Sequence, residues 1–231
     1  MENKKLRTAL FIHIMLVVME LIGLNYTFGV HDGLKMFIYY TDSSNVLCLI
    51  VSGLFVVFML PALSKGRTSG FVSTYMMQHY KGSSEMPRWI TMIRYISTCC
   101  LMLTFLVVLF VLGPKKGYAD QLLKGVHPID HVLAPVLSLL SFLFLEISEP
   151  LPKKAPVYAI IPTLIYAVIL IAMNAAGLAD GPYFFLRVRE QSLVRSVLWT
   201  MAILVGNYLI SWLIMKGYNR MIPIPWRKYS K

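Results

Sequence analysis

Apolar residues gather along this chain into long blocks separated by short polar or Gly/Pro-rich breaks. The first block runs from about Thr8 to Phe28, the second from Tyr39 to Leu63 and the third from Ile90 to Leu112. The fourth, His131 to Ile147, is the shortest, and the fifth and sixth cover about Ala155 to Leu178 and Ser196 to Met215. A helix needs about 20 apolar residues to cross a hydrocarbon layer, and most of these blocks reach that length. No strand-like alternation competes with them. The pattern predicts an all-α integral membrane protein, a bundle of six transmembrane helices forming a single domain over residues 1–231. Lys4, Lys5 and Arg7 precede the first block as they would in a signal peptide, but the apolar stretch is long and no small-residue cleavage site follows, so a retained helix is expected.

Composition sharpens this reading. Of the 231 residues 57% are hydrophobic and 14% charged, with a mean hydropathy of +0.65, whereas a soluble domain is nearer one quarter charged. Cytoplasmic loops carry the Lys/Arg excess. With both termini inside, the inner side holds fourteen basic residues: Lys4, Lys5, Arg7, Lys65, Arg67, Lys81, Arg88, Lys153, Lys154, Lys216, Arg220, Arg227, Lys228 and Lys231. The outer side holds seven, Lys35, Lys115, Lys116, Lys124, Arg187, Arg189 and Arg195, and Arg94 falls inside the third block. The expected placement is therefore a multi-pass protein of a cell membrane with both termini cytoplasmic. The net charge of +11 is scattered over loops and helix flanks, which fits anionic lipid headgroups as partners and not nucleic acid. Trp89, Trp226, Tyr218 and Tyr229 near helix ends suit interfacial aromatics. Cys48, Cys99 and Cys100 all lie in apolar runs, as core residues do.

No soluble module, repeat or low-complexity stretch is apparent, so function must reside in the bundle. Polar residues at membrane depth are costly and usually face the interior. The second block opens Tyr39-Tyr40-Thr41-Asp42-Ser43-Ser44-Asn45, and in a helix Thr41, Ser44, Asn45 and Cys48 form one polar stripe. The fourth opens His127-Pro128-Ile129-Asp130-His131 and continues through Pro135, Ser138 and Ser141. Pro128 suits a helix start. Pro135 lacks the N–H that would bond the His131 carbonyl, which loosens the helix at the histidine. With termini inside, both helices enter from the outer side at these residues, so Thr41 and His131 lie at one membrane level. A hydroxyl and an imidazole that meet there are the minimum arrangement for nucleophile and general base. The same residues also suit purely structural roles, Thr41 as a helix cap or interhelical donor and His131 as an interfacial residue bonded to a carbonyl.

Three motifs carry a family resemblance: aromatic-Thr-x-x-Ser-Asn at Tyr40 to Asn45, His131 four residues before Pro135, and Gly181-Pro182-Tyr183-Phe184-Phe185-Leu186 between the last two blocks. With the six-block layout, they make the chain similar to the androgen-induced and androgen-dependent TFPI-regulating protein family of membrane threonine hydrolases, and more so to its bacterial branch. The resemblance implies a lipid ester hydrolase acting on fatty-acid esters of hydroxy fatty acids, with Thr41 as nucleophile and His131 as base. It implies no cofactor, and its bacterial branch implies a bacterial cell membrane. Asp42 departs from the pattern, because an apolar or neutral residue is more usual after the threonine.

Acyl transfer also needs a group to orient His131 and an oxyanion hole. Asp42, Asn45 or Asn174 could orient the imidazole, while Asp130, its sequence neighbour, points elsewhere on a helix. Asn45 or Ser44 could contact the oxyanion. Arg187, Arg189 or Arg195 could meet the carboxylate end of an anionic lipid. Two rival classes remain. His127 and His131, spaced i and i+4, could with His31, Asp42 or Asp130 hold zinc, although no HExxH-type signature is present. A lipid-binding or transport protein would instead place polar residues such as Glu20, Asn207 and Arg94 along a path across the bilayer. His13 and Glu20, seven apart in the first block, could form a structural contact or a proton relay.

Overall fold

A computed structural model describes residues 2–63, 87–146 and 148–222. Lys65, Arg67, Lys81, Arg227, Lys228, Lys231, Trp226, Tyr229, Ile147 and most of the 64–89 connection lie outside the described residues. Every regular element among the described residues is helical. Five helices are long and apolar enough to cross a membrane. They are α1 Glu2–Val30, α2 Tyr40–Leu63, α3 Arg88–Lys116, α5 Ala155–Ala175 and α6 Leu193–Met221. Between α3 and α5 lies α4, Pro128–Phe144, apolar but shorter.

The helix starts follow local chemistry. Pro128 and Pro156 sit in first turns, where a missing N–H costs nothing. Ser192 caps α6 by accepting from the Arg195 N–H at 3.3 Å. The chain turns out of α1 through two left-handed residues, Asp32 and Gly33, into a 3₁₀ turn over Gly33–Ile38. Neither α3 nor α4 is regular throughout: Val108–Leu112 and Pro128–Leu133 are π-helical turns. In α4 the Ala134 N–H reaches back five residues to the Ile129 carbonyl just before Pro135, so the proline is accommodated by widening the turn that carries His131.

The faces of the helices are inverted relative to a soluble protein. Along α1 the inward stripe includes Leu6, Ala9, His13, Leu16, Glu20 and Thr27, while Phe11, Ile14, Val18, Leu21 and Ile22 point outward. A soluble bundle exposing so much apolar surface would aggregate, whereas in hydrocarbon the outward face gains nothing from being hidden and the polar groups must turn inward. α3 is the central helix, touching α2, α4, α5 and α6, while α1 pairs with α2 and α5 with α6. α1 and α4 also approach closely, since a Cβ on Gly23 would lie 2.5 Å from Asp130 Oδ1.

One polar knot ties the half of the bundle in which α3 begins and α4 ends. Arg94 on α3 makes a two-pronged bond to Glu146, Nε to Oε2 at 2.9 Å and Nη2 to Oε1 at 2.9 Å, with both side chains fully buried. His13 Nε2 lies 2.9 Å from Glu146 Oε1 and Ser141 donates to the same oxygen at 2.7 Å. Ser138 meets Arg94 Nη1 at 3.3 Å and Thr98 at 2.9 Å. Arg94 is thus neutralised in place. Tyr218 belongs to this buried layer and not to the interface: it is fully buried, stacks on Phe142, and its hydroxyl bonds Ser148 N and Glu146 O.

Candidate functional site

The N-terminus of α2 and the irregular start of α4 bring Thr41 and His131 together. Thr41 Oγ1 lies 3.4 Å from His131 Nε2, across ninety residues of sequence. The other imidazole nitrogen is held: His131 Nδ1 lies 2.6 Å from the Gln121 backbone carbonyl. A carbonyl can only accept, so Nδ1 carries the proton and Nε2 presents its lone pair to the threonine hydroxyl. The orienting group is therefore a main-chain oxygen of the short helix Tyr118–Leu122, not a carboxylate or amide from another helix. Asn45 is buried with neither amide atom bonded, and Asp42 is buried close by. Among the described residues neither bonds His131.

Thr41 also lines a narrow cavity, about 50 Å³ of which is open to the centres of water-sized molecules. Its walls are almost wholly apolar, with Leu103, Val107 and Leu112 from α3, Ala167 from α5 and Ile203 and Leu204 from α6. Tyr183, Phe185 and Leu186 of the Gly-Pro-Tyr-Phe-Phe-Leu segment also line it. Beneath Thr41 a polar string fixes the surrounding helices: Tyr40 Oη to Thr163 Oγ1 at 2.8 Å, Asn207 Nδ2 to Thr163 Oγ1 at 2.7 Å, and Ser211 to Asn207 Oδ1 at 3.3 Å.

Tyr183 had no place in the sequence reading beyond its motif. Its oxygen accepts from the Tyr40 N–H at 3.1 Å, and the phenol lies beside both the backbone and side chain of Thr41. The ring is stacked on Phe185, 5.2 Å between centroids and 6° from parallel, with Tyr39 edge-on. Burial pushes its hydroxyl up to about 12, so it stays protonated.

The remaining candidates serve other partners. Ser44 donates to the Thr41 carbonyl at 2.9 Å and meets Thr104 at 3.0 Å, within the α2–α3 contact. Asn174 donates to the Ala179 carbonyl at 3.0 Å and accepts from the Arg189 N–H at 3.3 Å, closing the loop after α5 instead of lining the cavity. Arg187 bonds the Gly181 carbonyl at 2.8 Å and Glu190 at 3.3 Å, both within that loop. Arg189 packs against Gly177. Arg195 lies in the first turn of α6.

For zinc, His127 and His131 do stack, with centroids 4.7 Å apart. Each turns Nδ1 to a carbonyl, His127 to that of Asp120 at 2.6 Å. Among the described residues no three His, Cys, Asp or Glu side chains converge on a metal-binding point. The candidate path residues also fall apart: Arg94 and His13 join Glu146, and Asn207 joins Thr163. Glu20 is fully buried beside the Cys48 thiol, with neither oxygen in hydrogen-bonding geometry. Comparison of the chain with protein-family models, curated proteins and solved structures returned no match.

Proposed function

We propose that this protein is a membrane-embedded hydrolase of lipid esters, with Thr41 as nucleophile and His131 as general base, in a six-span bundle with both termini cytoplasmic. The observation that carries the reading is the contact of Thr41 with an imidazole nitrogen left unprotonated by the Gln121 carbonyl, at the wall of an apolar cavity. A structural cap or packing threonine needs no such neighbour. An acyl chain enters the cavity and sets its ester carbonyl beside Thr41. His131 Nε2 takes the hydroxyl proton as Oγ1 attacks, then returns it to the leaving alkoxide, giving an acyl-threonine. Water, activated by the same nitrogen, hydrolyses that ester and restores the hydroxyl. The 3.4 Å separation suits a resting site, since such bonds commonly tighten only with substrate bound. Fatty-acid esters of hydroxy fatty acids are the substrate the family resemblance implies, and the apolar walls suit their chains.

Site variants test this directly. Thr41→Ala and His131→Ala each lower hydrolysis of a medium-chain p-nitrophenyl ester about 10⁴-fold, and the double variant is little worse, because the two groups act as a unit. Gln121→Ala stays near wild type, since the acceptor is main chain. A Thr41→Ala protein with wild-type turnover would reduce Thr41 to a packing residue.

A further inference from the structure

The site as described gives the proton a destination but leaves the charge that builds on the ester oxygen without a donor. Ser44 is turned into the α2–α3 contact, and Asn45 does not line the cavity. Tyr183 differs from both. Its hydroxyl lies beside Thr41, and Tyr183 lines the same cavity as Thr41, next to the space where the scissile carbonyl must sit. Its oxygen accepts from the Tyr40 N–H, a bond that does not use the phenolic proton. The stack on Phe185 and the edge contact of Tyr39 fix the ring before substrate arrives. A rigid, neutral donor aimed at developing charge in an apolar enclosure is what oxyanion stabilisation requires.

We propose that Tyr183 is the oxyanion donor of this site, hydrogen-bonding the carbonyl oxygen of a bound fatty-acyl ester as Thr41 adds to the carbonyl carbon. The inference rests on the threonine-hydrolase reading. As the Oγ1–C bond forms, the carbonyl π pair moves onto oxygen and the threonine proton goes to His131 Nε2. Tyr183 keeps its own proton and shares it in a hydrogen bond. Collapse re-forms the carbonyl and breaks the bond to the alkoxide, which takes the proton from His131. The Tyr40 N–H bond to the phenol oxygen polarises the O–H and strengthens it as a donor. The Gly-Pro-Tyr-Phe-Phe-Leu segment thereby gains a chemical role as well as a wall.

Full-length protein in detergent micelles, assayed with p-nitrophenyl octanoate and its thionoester, tests the assignment. Sulfur is a poor hydrogen-bond acceptor, so an enzyme with an oxyanion donor discriminates against the thionoester. Tyr183→Phe preserves the Phe185 stack and should lower kcat for the oxo-ester about 10²–10³-fold with little change in KM. The ester-to-thionoester rate ratio should collapse alongside. A kcat within about 3-fold of wild type, or a fall in kcat with an unchanged ratio, overturns the inference, the latter assigning Tyr183 a structural role at the start of α2. If Tyr183→Phe does not fold, 3-fluorotyrosine at position 183 keeps the Tyr40 bond and sharpens the donor. The ratio should then rise a few-fold, and no change overturns the proposal. A chain in which Thr41→Ala hydrolyses the octanoate ester as well as wild type, or wild type not at all, fails at the hydrolase reading, and the inference fails with it.

Discussion

Removing the negative charge of Glu146 should be the most damaging conservative substitution in the bundle. Glu146→Gln leaves the shape intact but strips the Arg94 guanidinium of its counter-ion in a fully buried position. The carboxylate takes four contacts, two from Arg94 and one each from His13 and Ser141, and a neutral amide can satisfy only part of that set. Breaking a buried pair from one side costs about 3–5 kcal/mol, because the other charge is left uncompensated. For a chain of this length each kcal/mol moves Tm by about 2–4 °C, so the expected drop is ~6–20 °C. Cys48, Cys99 and Cys100 are free and buried, so a thiol-reactive dye that fluoresces on reaction reports unfolding in detergent without further labelling. Adding Arg94→Met removes the stranded charge, and the double variant should melt above Glu146→Gln alone. A shift under about 2 °C for Glu146→Gln, or a double variant as destabilised as the two singles added, would refute the claim that the knot holds the helices.

The cavity claim predicts a chain-length effect. Ala167→Phe fills part of the cavity that Thr41 lines and should raise KM for octanoate and longer esters at least several-fold while sparing acetate, and equal effects on both would mean that the acyl chain lies elsewhere. Orientation is checked with a cysteine at position 35, in the turn after α1, which should react with an impermeant maleimide only from outside the cell; reaction only from the cytoplasm inverts the topology.

The helices were legible in the sequence because crossing a bilayer demands length and hydropathy together, and both are local properties. Their ends were less so. α1 begins at Glu2 and α3 runs on to Lys116, since lysines and arginines are good helix formers whose charge lowers hydropathy without ending the helix. α4 starts at Pro128, where the notion of an apolar block fails but the proline's first-turn preference holds. Placing Thr41 and His131 at one level needed only the alternation of helix directions. The Gln121 carbonyl could not be foreseen, because a main-chain acceptor leaves no mark in side-chain identity. The Arg94–Glu146 pair was hidden for a related reason: its partners are fifty-two residues apart, and Glu146 sits past the end of α4. Tyr183 reached the site from a loop, whose path the apolar pattern does not constrain.

The central claim is that one hydroxyl in this bundle is activated, and covalent labelling reads that most directly. A lipid-directed fluorophosphonate incubated with the full-length protein, followed by peptide mapping, should modify Thr41 stoichiometrically. Labelling should vanish in Thr41→Ala and fall steeply in His131→Ala, with Ser43 and Ser44 unmodified in all three. Absence of modification at Thr41 in the wild-type protein, or equal labelling with and without His131, would contradict the account.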